Sequence, residues 1–512
     1  MSLNQRKVGS ILSYVQMAAS IIISIIYTPM MIRLLGDSEY GLYNIASSTI
    51  SMMSILSLGF NSGYIRYYSK YKKENDLKSI YKLNGLFLTL FSIIGAISLV
   101  CGLFLSFNLD IIFDQGLTAS EYSIARVLMI ILTLSLSLSF PMSVFSNIIS
   151  SHERFVFLKL IGIVRTVFSP IINILLLLNG QRSIAMVSVS FALSIIVDLI
   201  YVFYVFFVLK QRFTPGMPEK GLFASLFSYT IFIALNMLVD QINLNIDKVL
   251  LGRFKGTTSV AVYTVGYSLH HYYQTFSTSI SSVFTPMIHR IINETKDSTE
   301  KMRRMLTELF IKVGRIQYLI LMLLCTGVVF FGKAFVHYWA GSGYEDSYWV
   351  ALLLMIPSTV PLVQNIGIEV QRAENKHQFR AIIYIAMALI NLVLSIYLCQ
   401  LYGAIGSALG TAISIVVANG FIMNIFYHKK CYIDIIAFWK SILRLSLGLI
   451  LPIICGIFIV TFFDLYNIYF MIAGIAIYAL VYAASMWLIG MNAYEKNLVL
   501  APVKKIFRRN KQ

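Results

Sequence analysis

Long apolar runs constrain this chain more than any other feature. They fall at about residues 8–32, 41–61, 80–106, 122–146, 155–178, 184–208, 222–246, 258–284, 306–331, 349–371, 379–400, 404–427, 441–463 and 468–490. A membrane-spanning helix uses about 20 residues, so each run is long enough to cross. Lipid cannot satisfy an open backbone, which leaves helices or a closed barrel. A barrel needs short strands alternating with period two, and these runs do not alternate. The expectation is an all-α integral membrane protein of about 14 transmembrane helices. Composition agrees: 58% of residues are apolar and 12% charged, about half the charge of a soluble domain. Disorder is excluded by the same apolar and aromatic content. No connection exceeds about 20 residues, so no soluble catalytic domain fits on either face. Arg6 and Lys7 precede the first run, which has no small-residue cleavage site. It reads as a retained span and not as a signal peptide.

The net charge of +18 raises nucleic acid as a partner. Its distribution removes that reading. About 29 Lys and Arg fall on the N-terminus, alternate connections and the tail, against about 6 on the other face. This asymmetry places both termini in the cytoplasm and demands an even number of spans. The outer connections, with Asp37, Glu39, Asp110, Glu121 and Glu345 among others, are slightly acidic. The tail from about 491 mixes Lys and Arg with Leu498, Ile506 and Phe507. It is either an inner-leaflet anchor or a frayed basic end. The five cysteines at 101, 325, 399, 431 and 455 form no CxxC pair, so neither a disulfide framework nor a metal cluster is expected.

An internal repeat is visible. Arg33-Leu34-Leu35-Gly36 follows the first run and Val249-Leu250-Leu251-Gly252 the seventh, at an offset of 216. Tyr43 pairs with Tyr263, Pro141 with Pro361 at offset 220, and Ile172-Asn173 with Ile390-Asn391 at offset 218. Such self-similarity points to duplication. It divides the chain into a six-helix lobe at 1–218, a second at 219–430, helices thirteen and fourteen at 431–490, and a basic cytoplasmic tail at 491–512. Six spans per half gives the halves one orientation, related by a pseudo-two-fold along the membrane normal. Parallel halves around a cavity are the architecture of an alternating-access transporter.

Polar side chains inside the runs are the candidate site. The first run carries Ser13, Gln16, Ser20, Ser24 and Tyr27 on one helical face. The seventh carries Asn236, Asp240, Asn243 and Asp247, and the eighth Tyr263, Tyr267, His270, Gln274, Ser277 and Ser281. Hydroxyls, amides and rings suit a sugar; they equally suit helix packing. Arg165, Lys312 and Arg315 lie inside runs, where a guanidinium fork fits phosphate oxygens. Arg165 could instead pair with Asp198, and Lys312 with Glu308. Asp240 and Asp198 are the deep carboxylates, candidates for H+ or Na+ coupling. Gly403, Gly406 and Gly410 read as close helix packing. No Walker A, GxGxxG, HExxH or GxSxG motif is present, and His270-His271 lacks partners at metal spacing. No enzyme, cofactor or metal is expected.

The stretch Pro29-Met30-Met31-Ile32-Arg33-Leu34-Leu35-Gly36-Asp37-Ser38-Glu39-Tyr40-Gly41-Leu42-Tyr43 resembles the opening signature of the polysaccharide transport family. These are Wzx-type oligosaccharide and O-antigen flippases of the multidrug/oligosaccharidyl-lipid/polysaccharide exporter (MOP) superfamily. Asp247-Lys248-Val249-Leu250-Leu251-Gly252 with Ala261-Val262-Tyr263 is similar to its second-half counterpart, and Phe379 to Thr411 to its eleventh and twelfth spans. The resemblance covers most of 8–430. It implies a flippase in the bacterial cytoplasmic membrane for an undecaprenyl-diphosphate-linked glycan. It also implies two six-helix bundles around a V-shaped cavity, and polymerase and glycosyltransferase partners in the same pathway. A cation-coupled drug exporter and a lipid II flippase are the alternatives. The first span has no arginine before Arg33, unlike the lipid II branch. Only Asp198 and Asp240 are deep acids, against three bases, which disfavours the drug exporter.

Overall fold

The computed structural model describes residues 2–113, 116–219, 221–282, 284–295, 298–374, 377–498 and 500. The basic tail beyond 500, Lys220, Lys296 and Lys376 lie outside the described residues. Every regular element among the described residues is helical.

The chain packs as two compact units. The first comprises Met1–Thr264 and Leu392–Ser407, the second Val265–Asn391 and Ala408–Gln512. In the first unit, helix α1 (Ser2–Leu35) ends at Gly36, whose φ of 81° is left-handed and open to glycine. Helix α2 (Asp37–Met52) passes through a 3₁₀ turn to Leu58 and Gly59, both left-handed, and α3 (Phe60–Lys73) follows. The second expected span is therefore broken. Then come α4 (Leu77–Phe107), α5 (Leu109–Phe113), α6 (Ala119–Ser151), α7 (Phe155–Leu178), α8 (Ser183–Phe203), α9 (Leu222–Phe254) and the first part of α10 (Thr257–Ser282). The second unit holds the rest of α10, then α11 (Thr285–Glu294), α12 (Thr299–Ala340), α13 (Glu345–Val363) and α14 (Ile366–Ala373). Helix α15 (His377–Ile415) turns at Gly403, with φ 58° and ψ −132°, and its middle, 392–407, packs with the first unit. Helices α16 (Met423–Lys430), α17 (Ile435–Ser446), α18 (Ile450–Phe462) and α19 (Ile468–Ser485) complete the second unit.

Among the described residues ten helices are long and apolar enough to cross a membrane, or eleven if the bent pair Leu222–Ile231 and Ile233–Phe254 is one span. The expected fourteen is not reached on these criteria, for physical reasons. Helix α2 stops at 16 residues. The polar stripe of α10 dilutes its apolarity. Two expected spans run together in Gln378–Lys430, with the turn at Gly403 hidden inside. There Gly406 lies so close that a Cβ would sit 2.0 Å from the Leu398 carbonyl oxygen, as the glycine run predicts.

Aromatic side chains build the first unit's core, with Tyr64, Phe87 and Phe91 fully enclosed beside Phe140 and Val144. Tyr64 donates to Asn84 Oδ1 at 2.7 Å, so its hydroxyl is satisfied where water is excluded. The connection after α8 is strapped back onto this core. Asn84 Nδ2 donates to Arg212 O at 3.1 Å and Thr214 N to Tyr81 O at 3.1 Å. Lys70 and Tyr71 each donate to Glu219 at 2.9 Å and together hold its carboxyl below the usual range. In the second unit Phe310, Val313, Phe438, Tyr427 and Leu321 form the core.

The repeat has a structural register. Helix α9 ends before Gly256, φ 79°, as α1 ends before Gly36. Arg33 therefore corresponds to Arg253, and the offset at this break is 220 and not the 216 of the Leu-Leu-Gly match. The same offset relates Tyr43 to Tyr263 and Pro141 to Pro361.

Candidate functional site

Helices α1, α7 and α8 form an open cavity of about 470 Å³ lined by Gln16, Gly162, Arg165, Thr166, Ser169, Pro170, Val197, Asp198 and Tyr201. Helical periodicity explains its walls. Gly162, Arg165, Thr166 and Ser169 share one face of α7, and Ser194, Asp198 and Tyr201 share one face of α8. Gly162 makes room for Gln16, since a Cβ there would lie 2.8 Å from Gln16 Nε2. Beyond the cavity, towards the Leu35 end of α1 and the Leu178 end of α7, the helices are stitched by amides and hydroxyls. Asn173 Nδ2 donates to Tyr27 Oη and to Ser190 Oγ, both at 3.2 Å.

Arg165 is exposed in this cavity and donates from Nη2 to Ser194 Oγ at 2.8 Å. That is its one hydrogen bond among the described residues. Asp198 lines the same cavity, yet the two form no ion pair within 4 Å. A guanidinium with free donors, beside an amide, hydroxyls, a phenol and a carboxylate, can grip phosphate oxygens while hydroxyl groups are bonded around it. Three sequence candidates, Gln16, Arg165 and Asp198, meet here. Thr166, Ser169, Ser194 and Tyr201 were not among them. Their signal was present as i, i+3 and i, i+4 spacing to Arg165 and Asp198.

Arg315 is different. Its Nε donates to Glu495 Oε1 at 2.5 Å and its Nη2 to Glu495 Oε2 at 2.9 Å. The Nη2 also donates to Gly490 O at 3.0 Å, and Nη1 to Ser441 O and Oγ at 2.9 and 3.2 Å. All five N–H groups are used, and the pair is 5% and 2% exposed. Gly490 and Glu495 lie past the end of α19, and Ser441 is the seventh residue of α17, so the guanidinium sits towards one end of the second unit's long helices and not at their middle. Lys312 lies 3.8 Å from the centroid of the Tyr494 ring, and not against Glu308, which Arg304 holds at 3.4 Å.

The other stripes divide. In the first unit Asn236 and Asn243 are half-buried and Asp240 is exposed on α9. Tyr263 is buried and donates to Asp247 at 2.7 Å, where Ser407 donates as well at 2.7 Å. In the second unit the α10 stripe is largely a packing seam. His270 bonds Ser358 at 2.8 Å, and Ser277 donates to Leu362 O at 2.9 Å while accepting from Gln317 at 3.0 Å. Tyr267 and Gln274 are half-buried, Tyr267 stacking on His271. Outside the spans, Glu39 is buried and accepts from Ser183 Oγ at 2.6 Å, Ser183 N at 2.9 Å and Arg182 Nη1 at 2.8 Å. Burial pushes its carboxyl up, and these bonds more than offset it, holding it below the usual carboxylate range. This carboxylate anchors the start of α8 to the start of α2, at a helix N-terminus that favours negative charge. No group of His, Cys, Asp and Glu able to hold a metal occurs among the described residues.

Residues 6–292 match the family described as polysaccharide biosynthesis protein, more than half of the chain. A Shigella flexneri protein whose name assigns it to O-antigen transport is 21% identical over 409 residues, covering 78% of this chain and 92% of that one. The structure of a lipid II flippase, MurJ, in an inward closed conformation has the same fold, with a TM-score of 0.69, 17% identity, and 93% and 97% of the two chains covered. An inward-facing multidrug resistance transporter of the MATE family, in the MOP superfamily, matches with a TM-score of 0.64 at 13% identity, covering 82% and 95%.

Proposed function

This chain belongs to the polysaccharide biosynthesis protein family, and from that premise we propose that it is a flippase for an undecaprenyl-diphosphate-linked oligosaccharide. It is a multi-pass membrane protein with a transporter fold. The substrate headgroup enters from the cytoplasmic leaflet and leaves on the outer one by alternating access of the 1–218 and 219–430 lobes, with the spans at 431–490 as an appendage. The membrane is the bacterial cytoplasmic one, with both termini inside. Glycosyltransferases supply the headgroup and a polymerase consumes it.

One observation carries this reading: the cavity that joins Arg165, Gln16 and Asp198 between α1, α7 and α8. Arg165 holds the diphosphate, and Gln16, Thr166, Ser169 and Tyr201 bond the first sugar. Asn236 and Asn243 are further headgroup candidates in the first unit, and Tyr267 and Gln274 in the second. Asp198 is the coupling candidate beside it: H+ or Na+ bound there changes the charge facing Arg165 and so its hold on the diphosphate. Asp240 is the second coupling candidate. The test is translocation of a fluorescent lipid-linked oligosaccharide in proteoliposomes, with and without an imposed gradient. Arg165→Ala should abolish translocation, and Asp198→Asn should make the residual rate independent of the gradient. Normal translocation by both purified variants would end the proposal.

A further inference from the structure

Arg165 turns away from the partner that the register of its own helices offers it. Helices α7 and α8 form an antiparallel hairpin, and one rung of it is fixed beyond the cavity, where Asn173 Nδ2 donates to Ser190 Oγ at 3.2 Å. Eight residues back along α7 from Asn173 is Arg165, and eight residues forward along α8 from Ser190 is Asp198. On that register the two charges stand opposite each other, and both line the cavity. The guanidinium nevertheless bends one helical turn, about 5.4 Å, towards the start of α8. There Nη2 donates to Ser194 Oγ at 2.8 Å, and no ion pair within 4 Å joins it to Asp198.

Ser194 is built to hold it there. Its one hydroxyl hydrogen is committed to its own helix, donated to Ser190 O at 2.9 Å. What remains towards α7 is lone pairs, an acceptor for a guanidinium N–H. Ser190 anchors the same face one turn away. Its Oγ accepts from Asn173, which is 5% exposed and donates also to Tyr27 Oη at 3.2 Å. The acceptor for Arg165 therefore stands on a buried joint of α1, α7 and α8. A carboxylate and a phosphate compete for the same fork of donors, and each takes the charge as well as the hydrogen bonds. A neutral hydroxyl takes one N–H of the five and leaves the charge uncompensated.

We propose that Ser194 is a positioning residue for Arg165: it holds the guanidinium one turn away from Asp198 and so keeps it open to the diphosphate. The identity of the ligand rests on the flippase reading, whereas the separation of the two charges rests on the α7–α8 geometry alone. The same separation leaves the Asp198 carboxylate in the cavity for a coupling cation.

The experiment uses the purified full chain in lipid nanodiscs, with undecaprenyl diphosphate as the probe. Ser194→Ala removes the acceptor, and the guanidinium then turns to Asp198. Binding should weaken about 5- to 10-fold. In the Asp198→Asn background the same substitution should change binding by less than about twofold, because no carboxylate competes. Ser194→Thr keeps the acceptor and should stay within about twofold of the wild type. Wild-type binding by Ser194→Ala would overturn the proposal. So would an equal loss in both backgrounds, which makes Ser194 a packing residue. A second readout needs no ligand. Asp198→Asn should lower the melting temperature by about 2–4 °C in Ser194→Ala, where it breaks a newly formed ion pair, and by less than about 1 °C in the wild type. Equal shifts in the two backgrounds overturn the proposal. If the melting shifts separate while the wild type binds no undecaprenyl diphosphate, Ser194 keeps its role and the flippase reading fails.

Discussion

Arg165 and Arg315 occupy similar places in the sequence: a lone guanidinium part-way along a long apolar helix. Their surroundings are opposite. Arg165 opens on a cavity of about 470 Å³ and makes a single hydrogen bond. Arg315 is enclosed, with every donor taken by Glu495, Ser441 and Gly490. The difference teaches that depth in a span does not identify a binding arginine. A charge costs too much inside a membrane to stand alone, and the question is what offsets that cost. Arg315 is offset by the protein. Arg165 is offset only in part, by Ser194, which is why we propose it as the phosphate contact.

The comparison breaks if stability and transport do not separate between the two residues. The largest effect is expected at Arg315→Ala, which strands Glu495 and should destabilise the protein by about 3–5 kcal/mol. Thermal unfolding in detergent would show it, and Arg315→Met/Glu495→Leu should recover part of the loss. Next is Arg165→Lys, which keeps the charge and loses the fork. It should slow translocation about 10- to 100-fold, the worth of one or two charge-assisted hydrogen bonds, while thermal stability stays within about 0.5 kcal/mol. A melting shift as large as that of Arg315→Ala would erase the contrast. Glu39 sharpens it as an intermediate, a buried carboxylate whose arginine, Arg182, is 69% exposed. Its folded pKa is depressed, so its contribution is fully present above the ordinary carboxylate value and disappears as pH falls through the folded one. Melting curves between pH 6 and about 3 should lose about 1.5 kcal/mol more in the wild type than in Glu39→Gln. The smallest effect is expected at Tyr494→Leu, which removes the ring under Lys312 and costs about 0.5–1 kcal/mol. Translocation should not change.

Much of this was legible beforehand. The helical membrane class follows from the runs, and most expected spans coincide with helices. Ser342–Val363 and its neighbour α14 divide the run expected at 349–371. A break between the runs 379–400 and 404–427 was visible too, though Gly403, where the chain turns, read only as close packing. Other features were not, because they depend on residues far apart in sequence. Arg165 with Asp198 was considered as a pair, but Gln16 joins them from 149 positions away, which no periodicity reports. The stripe on α10 had equal claims as sugar contacts and as packing. Gln317, Ser358 and Leu362 decide for packing at His270 and Ser277. The tail beginning near 491 read as a basic end, yet its first turn holds the carboxylate that neutralises Arg315. A lone Glu among lysines carries no sign of this. The Leu-Leu-Gly match gave an offset four residues short, because the glycine that ends α9 is Gly256.

The Arg315–Glu495 pair also has a place in time. Its partners are 180 residues apart, and a ribosome adds about 5–20 residues per second. Arg315 therefore enters the membrane roughly 10–40 seconds before its carboxylate exists. For that interval the second unit carries an unanswered charge, which holds α12 near the headgroups or in contact with water. Synthesis of Glu495 then completes the pair, and a chain stopped short of it would leave Arg315 without its carboxylate.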